Sequence, residues 1–252
     1  MKREWIAPIG LGIVLLTGWV IAAGPGSVLL PTPTAVAGQI IADVTGADFW
    51  RYLATTVVEA FGGVAIGVAV AMPLAVLIHR SKWAAAAVNP FLGATQAIPA
   101  IALAPLLVLW IGYGLGPVMV LCALIVFFPI LIATVIGLRH VDGEVVDAAR
   151  MDGAGSWQLL FAIELPMALP SVLGGLRNGV SLAITGAIVG ELVMGGDGLG
   201  TVLSVQRGNV DTAGMFATIF WLAVLASSAY AAVLVWERNS RVVSSLRTRT
   251  ER

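Results

Sequence analysis

Charge is scarce in this chain: Asp, Glu, Lys and Arg together make up 11% of its 252 residues, where an ordinary soluble domain carries roughly 25%. Cysteine is nearly absent. Cys122 stands alone, so no disulfide can close within the chain and redox chemistry is not expected. The two histidines, His79 and His140, sit at the ends of separate apolar runs; two isolated imidazoles and one thiol do not compose a metal site, and no metal is expected. Lysine occurs only as Lys2 and Lys82, and neither follows a glycine. A phosphate-binding Walker loop needs Gly-Lys-Ser/Thr, so the chain does not hold ATP in that way. No catalytic residue is assigned, and no covalent chemistry is expected.

What the chain has instead is apolar length, with 59% hydrophobic residues. A hydrocarbon core about 30 Å thick takes about 20 residues of helix. Six runs of that order, bounded by charge, Pro or Gly, lie at 6–23, 53–78, 84–111, 117–138, 167–193 and 214–236. Barrel strands would alternate polar and apolar residues in segments of about ten, and these runs do not alternate. The expectation is an all-α polytopic membrane protein of six transmembrane helices, one domain over 1–252 with its core at about 53–236.

Orientation follows from the cations. With the N-terminus inside, eleven of the 14 Lys and Arg fall on inner segments, Arg51 and Arg207 fall outside, and Arg177 lies within the fifth run. Both termini are therefore expected on the cytoplasmic side. The first run, opened by Met-Lys-Arg-Glu and followed by small residues, also reads as a signal peptide; cleavage would leave five spans in the same orientation. After that run, Pro31 and Pro33 keep the chain extended. Thr34 is expected to cap a short amphipathic helix over 35–44, with Val36, Ile40, Ile41 and Val44 on one face, lying along the outer membrane surface.

The segment 139–165 interrupts the apolar pattern. Asp142 suits the N-cap of a helix over 143–152, and Gly153 the left-handed residue that closes it. Ser156 is expected to cap a second helix over 157–165, after which Pro166 breaks the register and opens the fifth span. The result is a cytoplasmic helix-turn-helix. Its small Ala148-Ala149 surface, flanked by Asp147 and Arg150, allows another protein to approach closely.

Ionisable groups at membrane depth cost several kcal/mol unless they face the bundle interior, a partner or water. Glu59 and Glu191 lie toward the outer side and Arg177 deeper. Arg177 and Glu191 are separated by about four helical turns and share a face, which suits either interhelical pairing or a translocation path. Gln96, beside Ile98-Pro99, is the best further polar candidate for the path. Pro73, Pro99, Pro105 and Pro129 can kink spans two to four. The pairs Gly63/Gly67, Gly175/Gly179 and Gly186/Gly190 stand at helix-packing spacing. An ion-coupled secondary transporter or channel built on Glu59, Arg177 and Glu191 is the alternative reading.

The stretch from Asp147, "DAA", three residues, Gly153, nine residues, then "IELP" through Leu165 and Pro166, resembles the cytoplasmic signature of binding-protein-dependent ABC importer permeases. Asp147 stands where that signature has Glu. Further segments, "LPTPTAV", "QAIPAIALAPLLVLWIGYGLGP", "FFPI", "LRHVD" and "GGDGLG", are similar to the nitrate/taurine/sulfonate branch, and Thr56 with Glu59, Gln96 and "VGE" ending at Glu191 are similar to members that import thiamine precursors or riboflavin. The resemblance implies a type I importer permease fold with coupling helices between spans four and five. It implies that Asp147, Ala148, Ala149, Gly153, Leu165 and Pro166 seat on an ATPase, with Glu59, Gln96, Arg177 and Glu191 as candidates for the path. Implied partners are two ABC ATPase subunits that bind ATP and Mg, an extracytoplasmic solute-binding protein and a second copy of the chain in the bacterial inner membrane. No nucleic acid is expected among them.

Overall fold

The computed structural model describes residues 6–24, 29–96 and 99–239, which are almost wholly helical. In chain order the helices are α1 (Ile6–Ala22), α2 (Pro33–Thr45), α3 (Ala47–Arg80), α4 (Lys82–Gln96), α5 (Ala104–Ile111), α6 (Leu115–Arg139), α7 (Gly143–Met151), α8 (Ser156–Leu159), α9 (Leu165–Met194), α10 (Leu199–Gly208) and α11 (Thr212–Asn239). Among the described residues, four stretches are long and apolar enough to cross a bilayer: α3, α6, α11 and the continuous helix Ser156–Met194 that joins α8 to α9.

The expected third span, 84–111, is broken. Its first half forms α4; Pro99 is then extended (φ −65°, ψ 103°), a 3₁₀ turn follows over Ala100–Leu103, and α5 begins with Pro105 in its first turn. Proline disfavours helix in the residue before it and lacks the N–H that a helix interior needs. Two prolines six residues apart therefore divide the run rather than kink it. Pro73 and Pro129, by contrast, lie inside α3 and α6 without ending them.

Two expected caps also shift. The hydroxyl of Thr32, not Thr34, accepts from Ala35 N–H at 3.3 Å, which places Pro33 in the first turn, where its missing donor is no loss. Ser156 is itself the first residue of α8. Pro166 does not start a separate helix either: the five residues Leu160–Glu164 form a π turn in which Leu165 N–H donates to Leu160 C=O. That one-residue widening lets the helix run through Pro166 without a break. The α10 helix, between the fifth and sixth runs, was not foreseen.

The core is centred on α6. Leu121, Cys122, Val126, Ile130 and Leu131 are fully buried between α3 and α9. Within a bilayer no hydrophobic force draws apolar helices together, so close packing must do it. All six paired glycines serve this one purpose. A Cβ at Gly63 would overlap the Cβ of Cys122, and one at Gly175 would overlap the Cβ of Ala133, both on α6; Gly67, Gly179, Gly186 and Gly190 also face α6 side chains or backbone. Substituting Leu at Gly63 or Gly175 should therefore destabilise the purified protein by about 1–3 kcal/mol or more, read as a lower thermal midpoint. Gly38→Ala, where a Cβ meets nothing within 4 Å, should leave the midpoint unchanged or slightly higher.

Candidate functional site

The helix-turn-helix forms as its caps dictate. Asp142 accepts from Glu144 N–H at 2.9 Å at the start of α7. At its end Gly153 takes φ +89°, Gly153 N–H donates to Arg150 C=O and Ala154 N–H to Ala149 C=O, each at 3.0 Å. These are the paired bonds of a Schellman ending, which needs a left-handed residue at that position. Val146 is buried and anchors the inner face of α7. Asp147 and Ala148 face solvent, and Asp147 pairs with Arg150 at 2.9 Å; a bridge this exposed contributes little. Beside them Met151, Trp157 and Phe161 are 88%, 71% and 63% exposed, and the two rings stack 5.9 Å apart. The sequence reading passed over this apolar patch, although Trp157 and Phe161 stand one helical turn apart.

One contact ties this element to the bundle. Arg80, in the last turn of α3, donates through Nη2 to Glu164 Oε2 at 2.8 Å and to the Ser156 carbonyl at 2.8 Å, while His79 Nε2 lies 3.6 Å from the same carboxylate. The Glu164 side chain is 4% exposed. Beneath it Leu159 and Leu160 are buried, Leu160 with Leu138 and Ala168. The helix-turn-helix is thus pinned to the C-terminal ends of α3 and α6 and the N-terminal end of α9. Glu164 was not singled out from the sequence; a lone carboxylate in the apolar run after Ser156 was the signal.

At the opposite end, Thr56, Glu59 and Glu191 come together inside the chain. All three are at most 1% exposed. Thr56 Oγ1 donates to Glu191 Oε1 at 2.7 Å and accepts from Leu199 N–H at 2.9 Å; Gly200 N–H donates to Glu191 Oε2. Leu199 and Gly200 open α10, so α3 and α9 cap the free N–H groups of a third helix. A Cβ at Gly198 would overlap the Glu191 carboxyl, which is why the chain approaches as glycine. Glu59 lies against Glu191, and its Oε2 has no hydrogen-bond partner.

Arg177 does not join them. Its guanidinium meets Glu237 of α11 at 3.2 Å and stands over the Tyr230 ring at 5.4 Å. The backbone of Gln96 ends α4, and its side chain lies outside the described residues. None of Glu59, Arg177 or Glu191 lines the cavity of about 920 Å³ between α6, α9 and the turn before α5, where Ser171 and Asn178 provide the polar groups. Among the described residues no cluster of His, Cys, Asp or Glu could hold a metal ion.

Long apolar helices packed at glycines, with a capped helix-turn-helix pinned to them, define a multi-pass membrane protein. The family model for the binding-protein-dependent transport system inner membrane component matches residues 63–242, and the chain belongs to that family. It is 38% identical to the riboflavin transport system permease protein RibX of Chloroflexus aurantiacus, over 94% of this chain and 90% of that one. It is 34% identical to the formylaminopyrimidine transport permease protein ThiX of Halalkalibacterium halodurans, over 92% and 94%. With the putative aliphatic sulfonates permease SsuC of Bacillus subtilis it shares 28% over 94% and 87%. Its fold matches a chain of the MetNI methionine ABC transporter in an inward-facing form, with a TM-score of 0.67, 21% identity, and coverage of 76% of this chain and 95% of that one. The fold is that of a type I ABC importer permease.

Removing Arg80 leaves the Glu164 carboxylate nearly buried with only His79 nearby. Arg80→Ala should cost about 2–4 kcal/mol, toward the low side of a broken buried pair because Arg80 is itself partly wetted. The double change Arg80→Met with Glu164→Leu should restore the thermal midpoint, since an apolar pair carries no desolvation penalty. If Arg80→Ala leaves the midpoint untouched, the tie is not structural.

Proposed function

We propose that this chain is the permease subunit of an ATP-driven importer, and that residues 147–166 are its contact with the ATPase. The observation that carries the reading is the exposed surface of the helix-turn-helix. Small residues at Ala148 and Ala149 and the bare apolar side chains of Met151, Trp157 and Phe161 lie on an element fastened to α3, α6 and α9. A patch of that kind rimmed by charge marks a protein contact. ATP closes two ATPase subunits, the pinned element moves with them, and the attached helices shift between outward and inward access.

In this reading six segments cross the membrane with both termini cytoplasmic: α1, the broken α4–α5 pair as one crossing, and the four long helices. Two copies enclose the path with C2 symmetry, and a solute-binding protein delivers from outside. Cofactor binding falls to the ATPase, which holds ATP and Mg. The relatives RibX and ThiX support a riboflavin- or pyrimidine-like heterocycle as solute over a sulfonate, taurine or nitrate. Glu191, engaged with Thr56 in capping α10, and Arg177, engaged with Glu237, act as internal fasteners, and Glu59 is enclosed against Glu191. Their engagement also speaks against an ion-coupled transporter built on the same three residues.

Gly153 offers a clean test. At φ +89° any side chain costs about 1 kcal/mol, yet a Cβ there meets nothing within 4 Å. Gly153→Ala and Gly153→Arg therefore carry the same backbone strain and differ in the bulk and charge they present outward. Gly153→Arg should insert normally, fail to co-purify the ATPase and lose solute-stimulated ATP hydrolysis, while Gly153→Ala keeps most of both. Full assembly and stimulated hydrolysis in the Arg variant would remove residues 147–166 from the ATPase contact.

A further inference from the structure

The cavity between α6, α9 and the turn before α5 is walled by Phe128, Pro129, Ser171, Gly174 and Asn178 among others, and no charged side chain is among them. Asn178 lies near the middle of α9, a membrane-spanning helix, yet it is exposed and makes no side-chain hydrogen bond among the described residues. An amide turned to lipid at that depth is left unsatisfied at a cost of several kcal/mol. It is not an isolated lapse. Ser171 stands about two turns before Asn178 and the exposed Thr185 about two turns after, so the three form one polar stripe along the helix. A stripe of that kind faces water or a ligand rather than hydrocarbon.

We propose that this cavity is a solute site within the membrane and that it takes an uncharged, planar ring system bearing amide-like donors and acceptors. The proposal rests on the permease reading above and adds the chemistry of the occupant. The volume of about 920 Å³ falls within the range of about 300–1,000 Å³ usual for small-molecule sites. Asn178 offers an amide N–H and C=O side by side and Ser171 a hydroxyl, the complement of a ring that carries a carbonyl next to an N–H. Phe128 supplies an aromatic wall, and Gly174, whose Cβ position is open space, leaves room for a flat molecule against α9. An anion would be stripped of water here with no cation to meet it. Arg177, next to Asn178 in sequence, is turned away to Glu237 and Tyr230.

The single buried cysteine makes the test direct. In a Cys122→Ala background, Asn178→Cys is reconstituted with its ATPase subunits and treated with a charged, membrane-impermeant methanethiosulfonate. Only a thiolate reacts, and a lipid-facing thiol does not ionise, so labelling should exceed that of a Val224→Cys control on α11 by about tenfold or more. Riboflavin or a formylaminopyrimidine should slow the labelling; taurine should not. Labelling no faster than the control overturns the cavity as a solute site. So does a disulfide between two copies that abolishes labelling, since the face is then an interface. Protection by taurine alone, or by none of the three, overturns the ring assignment. Absence of ATP-dependent uptake by the unsubstituted chain reconstituted with its ATPase subunits would count against the permease reading itself, while the labelling result would still decide the cavity.

Discussion

Close approach of three helices at α6 is the condition on which the rest of this molecule depends. Inside a bilayer the lipid tails are as apolar as leucine, so α3 and α9 gain nothing by meeting α6 unless their backbones come near enough for dense packing. Glycine at 63, 67, 175, 179, 186 and 190 permits it, all six against the same helix. That approach sets α3 beside α9, and polar contacts then fasten the pair at both ends. At one end, Thr56 meets Glu191 and together they cap α10; at the other, Arg80 meets Glu164. The block is thus fastened at two ends, and the helix-turn-helix is attached to the Arg80–Glu164 end.

This arrangement explains why the ionic groups are so few and so placed. Three of these groups hold elements that packing alone would not align: Arg177 joins α9 to α11, Glu191 joins α9 to α3 and α10, and Glu164 joins the π turn to α3. The cavity is left with neutral polar groups only. Charge in this chain fixes the frame, while neutral donors and acceptors line the space within it.

Much of the architecture was legible in the sequence where one local rule decided it. Asp142 as a cap and Gly153 as a left-handed closure follow from backbone chemistry, and both are observed. Four of the six apolar runs became long helices. The reading ran out where two rules competed or where the partner was distant in sequence. Pro99 and Pro105 together outweighed the apolar length of 84–111, and a π turn, which carries no sequence pattern of its own, absorbed Pro166. Thr56 reaches Leu199 and Glu191 across more than 130 residues, so its part in capping α10 has no local signature. The meeting of Thr56, Glu59 and Glu191 under α10 has no local signature either, and Arg177, expected to share a face with Glu191, is held by Glu237 instead. Asn178 was visible as an amide at membrane depth and was passed over for the charge beside it.

The central claim is that the pinned helix-turn-helix is where the ATPase acts on the membrane helices. A photoactivatable cross-linker attached through Ala149→Cys in a Cys122→Ala background, in complexes carrying both ATPase subunits, measures this most directly. The account predicts cross-linking to the ATPase, with a yield that changes between nucleotide-free and ATP-trapped states. Cross-linking to lipid or to the permease alone in both states, from complexes that still hydrolyse ATP and transport, would contradict it.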